Sequence, residues 1–481
     1  MRQFVSNFTV ATTFALLALG IVIGADSASA QTGVVDPGPR GGSIDAGKTV
    51  AGLSVDQLRF FADAVKRFTT PDTDKSGLGP AYNGSSCGVC HVQPANGGSS
   101  PSTTAFPNLG PNPQIKEASL DGATNKLPFF ITPDGPVREA RFKYFYETGG
   151  QDGEGQNRGN GSAVVDRDAP DGGVHDLFTI AGRADAPGCV FAQEDFDKAQ
   201  AAGNLSLRIP TPLFGDGLIE GITDATIVAS FQATAAARAM MGIKGVPNRN
   251  DNDGTISRFG WKAQNRSLLL FSGEAYSVEI GETNLLFSDK RGFPPTLPPA
   301  SCILNPLPED AQNMTAPGSA TEGVPTNVDQ FATVMRFLDQ PTPACTGTGC
   351  SASIQNGRAL FAGIGCALCH TPSMTTGKSA ITDSMTNAQV NLFSDLMLHH
   401  MGKGLDDGVT QGHAGPDQFR SAPLWGIGQR IFFLHDGRTT DLLKAIEAHA
   451  SNGSEAIQVI GRFNTLTDTQ RQDLLNFLRS L

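Results

Sequence analysis

The stretch Gly357-Arg358-Ala359-Leu360-Phe361-Ala362-Gly363-Ile364-Gly365-Cys366-Ala367-Leu368-Cys369-His370 restricts this chain more than any other. A C-x-x-C-H run reads as covalent attachment of a c-type haem: two thiols in one turn form thioethers to the vinyl groups, and the next histidine lies under the iron. The Gly-x-x-x-Phe upstream, on a helical period, suits a helix that delivers such a turn. The pattern occurs again at Cys87-Gly88-Val89-Cys90-His91. A zinc site would need four ligands at paired spacings, and no further Cys pair of that kind is left over. A thioredoxin-like dithiol would need a βαβ context, which the sequence does not offer. Two haem c groups (iron) are therefore expected, attached at Cys87, Cys90, Cys366 and Cys369, with His91 and His370 as proximal metal ligands.

The N-terminus fits export to the periplasm. Arg2 supplies the positive start, an apolar run spans about Val10 to Ile23, and Ala28-Ser29-Ala30 fits a cleavage site, so residues 1–30 read as a signal peptide. That run is shorter than the roughly 20 residues of a spanning helix, and no later stretch is long and apolar enough to cross a bilayer. Four of the eight cysteines remain after the haem motifs. In an oxidising compartment they favour disulfides. Cys345 and Cys350 flank a short flexible loop and are paired here, leaving Cys189 with Cys302. A net charge of −11 makes nucleic acid an unsuitable partner and is compatible with a basic electron-transfer protein.

The pattern along the chain is mainly α, with long loops and a few short strands, arranged as two cytochrome c-like haem domains in tandem. Residues 31–326 form the first, with large insertions, and 327–481 the second; the Pro-rich run 288–326 is the linker between them. Ser54-Val55-Asp56-Gln57 is a capping-box pattern opening an amphipathic helix to about Phe68. The segment Arg208 to Glu220 leads into a helix through about Met241, and 261–286 read as another. Helices are also expected near Val328 to Leu338, over Leu442 to His449, and from Thr467 to Leu481. Each half carries a helix, a C-x-x-C-H motif and an Arg-…-Pro-Leu-aromatic-Gly-x-Gly segment (Arg208 to Gly217, Arg420 to Gly428), which reads as a degenerate repeat. Asp72, Asp74 and Ser76 before Gly77 are similar to the start of a calcium loop, but Asn83 stands where the closing Glu belongs. Arg249 likewise spoils the acidic turn at Asn250 to Gly254. Calcium is thus a minor alternative to solvated turns.

Four segments in combination carry a family resemblance: Gly77 to Pro80 before the first motif, Arg258-Phe259-Gly260-Trp261-Lys262-Ala263, Asp395 to Gly402, and Phe433-Leu434-His435-Asp436-Gly437-Arg438 running on to Ile446. The chain resembles the di-haem c-type oxidoreductases related to bacterial di-haem cytochrome c peroxidases. That resemblance implies hydrogen peroxide as oxidant at the N-terminal haem, with electrons relayed by the C-terminal haem from a periplasmic donor such as a small cytochrome or cupredoxin. In the peroxidases a helix after the His-Asp-Gly segment supplies a Met to the C-terminal haem. Here the matching place holds His449, with Met401 as the alternative metal ligand; His in place of Met lowers the haem potential. Peroxide cleavage needs a proton-handling group, for which Glu220 is the first candidate and His175 the second. Arg208 and Arg420 are candidates for pairing haem propionates. His435 is a candidate for bonding a propionate or linking the two halves. Trp261 and Trp425 could lie between the haems, or simply pack. A plain electron-transfer cytochrome and a di-haem oxidase or oxygenase acting on another substrate remain the alternatives.

Overall fold

In the computed structural model each C-x-x-C-H turn hangs from one helix and is closed over by another. The helix Val55–Thr69 begins at Ser54, whose side chain caps Gln57 while Gln57 caps Ser54 in return, and it runs into the turn Cys87–Cys90 through the loop at 70–86. It packs against the helix Asn327–Phe337. In the second copy Ala352–Ile364 precedes Cys366–Leu368 and packs against Asp468–Ser480, itself opened by a capping box at Thr467.

The two pairs repeat in detail. Phe68 meets the His91 ring edge-on at 6.3 Å and Phe331 at 6.4 Å; Phe361 meets His370 at 6.4 Å and Phe477 at 5.5 Å. One turn before each phenylalanine stands a small residue, Ala64 or Gly357, that lets the closing helix approach. A Cβ on Gly357 would lie 2.0 Å from the Asp473 carbonyl oxygen, so this close crossing requires glycine. Likewise the second glycine of each Gly-x-Gly segment presses on the closing helix: a Cβ at Gly217 would meet Arg336 backbone, and one at Gly428 would meet Arg479 backbone, each at 2.2 Å.

The structure describes residues 33–41, 45–101, 110–146, 165–288, 298–303, 309 and 325–481. The expected signal peptide lies outside them, as does most of the run 288–326. Residues 34–481 form one unit. The boundary drawn at 326/327 falls just ahead of Asn327–Phe337, whose partners are Val55–Thr69 and Leu268–Ala275 of the preceding segment. The helix expected over 261–286 starts later, at Leu268, because the Ser267 hydroxyl caps Leu270 and residues 259–265 form a tight turn, Phe259 pairing with Asn265. The helix expected after the Arg208 to Glu220 segment is two, Asp224–Ala233 and Ala235–Met240, and the end of that segment is itself a short helix, Asp216–Glu220. Both expected disulfides are present, Cys189–Cys302 and Cys345–Cys350. No helix among the described residues is long and apolar enough to cross a membrane.

A three-stranded antiparallel sheet carries charged side chains from distant parts of the chain to one place. Glu139–Phe142 lies between Val174–His175 and Leu205–Arg208, with Glu139 opposite Arg208 and Ala140 opposite His175. Alternation along a strand then puts Glu139, Arg141 and Arg208 on one face, and Ala140, Phe142 and His175 on the other.

On that second face His175 stacks on Phe142 at 3.7 Å and donates from Nδ1 to Glu194 (3.0 Å) and from Nε2 to Asp171 (2.9 Å). Burial pushes its pKa down, but the two carboxylates outweigh it and hold the imidazolium up to about 9. A folded value above the unfolded 6.5 means this stabilisation is complete below pH 6.5 and lost as pH rises through 9, an effect of about 3 kcal/mol. Wild-type Tm is expected to fall over that window, and to fall less in His175→Gln, as thermal melts by circular dichroism would show. An unchanged pH profile in the variant would refute this account.

Candidate active site

Each C-x-x-C-H turn opens onto its own cavity. The cavity of His91 has about 1170 Å³ of empty space and that of His370 about 1370 Å³, both counting their open mouths.

The proximal histidines are prepared in the same way. His91 Nδ1 donates to the Gly98 carbonyl at 3.0 Å, and His370 Nδ1 donates to the Phe393 carbonyl at 3.0 Å. That fixes the tautomer and leaves Nε2 for a metal, the outer-shell arrangement of iron- and zinc-bound histidines. No side chain fits at Gly98, where a Cβ would lie 2.0 Å from the Gln93 carbonyl oxygen. Burial pushes both imidazoles down to about 4, so they are neutral, as a ligand must be. Burial also pushes the Cys87 and Cys366 thiols up to about 12. Reactive dithiols of the thioredoxin kind need the opposite shift. The four motif cysteines are unpaired while the other four are in disulfides. Among the described residues no cluster of three or more His, Cys, Asp or Glu could hold a bare metal ion. These features fit haem c at both places.

The walls of the two cavities differ chemically. Around His91 stand Glu139, Glu274 and Glu279 with Arg141 and Arg208, and no second imidazole is among the described lining residues. Its thioether, Met335, sits on the closing helix one turn from Phe331. Glu139 and Arg208 come from one face of the three-stranded sheet. Glu279 comes from a π-helical turn, Tyr276–Ile280, that extends the helix Leu268–Ala275; such turns often mark functional sites. Glu139 accepts from Arg141 Nε at 2.6 Å and shares a hydrogen bond with Glu279. Two carboxyls in contact cannot both ionise. Burial and then the charge of Glu139 hold Glu279 well above the usual range. Burial also raises Glu139, but Arg141 and Arg208 outweigh it and keep it ionised. The proton of the pair therefore resides on Glu279.

Around His370 stand His399, Met401, His435, His449, Arg420 and Arg430. His449 follows the helix Leu442–Glu447, and its Nδ1 donates back to the Ala445 carbonyl at 2.8 Å, leaving Nε2 as the nitrogen for a metal. It is within electrostatic reach of His370. Met401 lines the same space, so both expected distal ligands are brought to this cavity. His399 is committed elsewhere: Nε2 bonds Asp395 at 3.0 Å and Nδ1 bonds Glu455 at 2.8 Å. His435 stacks on Phe419 at 4.5 Å, and its carbonyl accepts from Ile209 N at 2.8 Å, joining the two parts of the chain.

The two residues expected to handle protons lie in neither wall. Glu220 accepts from Arg336 Nε at 2.7 Å and from Leu268 N at 2.8 Å, tying the closing helix of the first pair to the start of Leu268–Ala275. His175 has both nitrogens taken by carboxylates, on the sheet face opposite Glu139. Arg208 lines the His91 cavity, but its Nε and Nη2 donate to Asp407 and its Nη1 to Gln411. Arg420 lines the His370 cavity and donates from Nη1 to the Arg258 carbonyl at 2.9 Å. Asp72, of the calcium-like run, accepts from Arg67 at 2.7 and 2.8 Å. Glu139 and Glu279 carried no motif signal; only the antiparallel register and the π-turn bring them together.

Two cavities over C-x-x-C-H turns, each with its histidine set for iron, define a protein of the di-haem redox class. The chain belongs to the family described as "Di-haem oxidoreductase, putative peroxidase", whose profile matches residues 175–481. Among solved structures, a MauG-like protein associated with microbial copper homeostasis is similar at 18% identity, covering 32% of this chain and 52% of that one, with a TM-score of 0.23. The hydrazine synthase of Kuenenia stuttgartiensis is similar at 20% identity, covering 32% and 55%, with a TM-score of 0.23. The chain thus spans about half the length of each. No curated protein matches it.

Proposed function

We propose that the protein is an exported di-haem c-type peroxidase built of two tandem haem units, reducing hydrogen peroxide in the cavity of His91. The observation that carries this is the unequal furnishing of the two cavities: a proton-holding carboxyl pair in one, candidate sixth ligands in the other. Haem bound at the two motifs supplies the iron and the electrons for the reduction. Glu279 holds the proton that the departing oxygen needs, in the protonated state at neutral pH. Glu139 stays ionised against Arg141, and its charge keeps the carboxyl of Glu279 able to take a proton back from solvent after each turnover. This assigns to the Glu279–Glu139 pair the role expected of Glu220 or His175. His449 is the sixth ligand we assign at the second site, closing it to peroxide and making it the electron-transfer site.

Trp261 is a wall of both cavities, its indole Nε1 donating to the Ile209 carbonyl at 2.8 Å. It offers an aromatic bridge for electrons passing from the second site to the first. A small cytochrome or cupredoxin in the periplasm would supply them. Electron paramagnetic resonance of the as-purified protein tests the assignment. One low-spin haem and one high-spin or peroxide-responsive haem are expected; two low-spin haems inert to peroxide would mean a plain electron carrier.

A further inference from the structure

Between the two cavities lies a third, smaller space of about 330 Å³, bounded among others by Thr211, Asp216, Trp261, Arg420, Trp425 and Arg430. Arg420 and Arg430 also face the His370 cavity, Thr211 faces the His91 cavity, and Trp261 faces both. Each of the two arginines is at least nine-tenths buried: Arg420 is 8% exposed and Arg430 9%. Arg420 Nε and Arg430 Nε and Nη2 are buried with no hydrogen-bond partner among the described residues. The Arg430 guanidinium lies 5.8 Å from the Trp261 ring centre, which does not neutralise it. Two adjacent buried guanidinium charges left this way oppose each other and lack hydrogen-bond acceptors, so the space is built for an anion.

The carboxyl at hand is Asp216, 6% exposed, at the start of the helix Asp216–Glu220. It feels Arg420 across the space and Glu220 one turn along. Arg336, whose backbone packs on Gly217, is paired with Glu220. One acid facing two cations leaves room for a second carboxylate, and the open side of both arginines is the His370 cavity.

We propose that this space receives a propionate of the haem held through His370, paired with Arg420 and Arg430, and that Asp216 takes up a proton when that haem is reduced. The proposal rests on the reading of His370 as a haem ligand. The step balances simply: a one-electron donor supplies the electron, solvent supplies the proton, and an O–H bond forms on the Asp216 carboxylate. Burial already pushes Asp216 up to about 7, so a modest change of nearby charge moves its proton within the neutral range. Replacing Arg420 alone would not separate this role from its bond to Arg258, so Arg430 and Asp216 are the informative positions.

Potentiometric titration of the low-spin haem in the full-length holoprotein, from about pH 5.5 to 8.5 on either side of neutrality, is the test. In the wild type its potential is expected to fall as pH rises through neutrality, and Asp216→Asn to remove that slope. Arg430→Gln is expected to lower the potential at every pH, by loss of a positive charge beside the propionate, and Arg430→Lys to restore most of it. A wild-type potential independent of pH, or a slope that survives Asp216→Asn, would overturn the proposal. A pyridine haemochrome giving fewer than two haems per chain would instead remove the haem reading beneath it.

Discussion

Glu279→Gln is expected to lower peroxide turnover by about 10²–10⁴-fold, the usual worth of a positioned acid–base group, while both haem spectra stay unchanged. Glutamine keeps the shape and the hydrogen bond to Glu139 but has no proton to give. Glu139→Gln should have a smaller effect, because Glu279 would keep its carboxyl and lose only part of the charge that raises it. The pH dependence has a definite sign. Since Glu279 acts protonated, activity in the wild type falls as pH rises past its elevated value, and removing the Glu139 charge shifts that fall to lower pH. Steady-state rates across pH, with a fixed artificial donor, would check both. Full activity in Glu279→Gln would move the proton-handling role elsewhere in the cavity, Glu274 being the remaining acid there.

The second large effect is expected at His449. His449→Ala should abolish the low-spin ferric signal of one haem and turn it high-spin, whereas Met401→Leu should leave it intact. The reason is local: the Ala445 carbonyl holds the Nδ1 proton, so the ring presents one basic nitrogen in a fixed orientation, while the Met401 thioether, just past the strand Leu398–His400, has no comparable hydrogen bond among the described residues to orient it. Adding imidazole to His449→Gly should recover the low-spin spectrum. Loss of the signal in Met401→Leu would reverse the assignment.

Much of this architecture was readable from the chain because it is local. The C-x-x-C-H turns, the capping boxes at Ser54 and Thr467, the Gly357-to-Phe361 spacing and the short loop between Cys345 and Cys350 are all decided by residues within a turn or two of each other. The acid pair was not readable, because it depends on register. Glu139 faces the cavity only because it pairs with Arg208, and a slip of one residue would point it at Phe196 and the apolar core instead. Glu220 is a proton-handling candidate by its place after the Pro-Leu-Phe-Gly-Asp-Gly segment, but its contacts are long-range. Its partner Arg336 is 116 residues away, and nothing nearby in sequence announces it. The same holds for Arg430, whose exceptional feature is what it lacks.

Trp261 has a consequence for anyone who would reshape this molecule. Because a single indole is masonry for both chambers, and for the small space between them, enlarging one to admit a bulkier oxidant disturbs the other at once. The pair should be treated as a single unit of design, with variants on either side scored by the spectra of both.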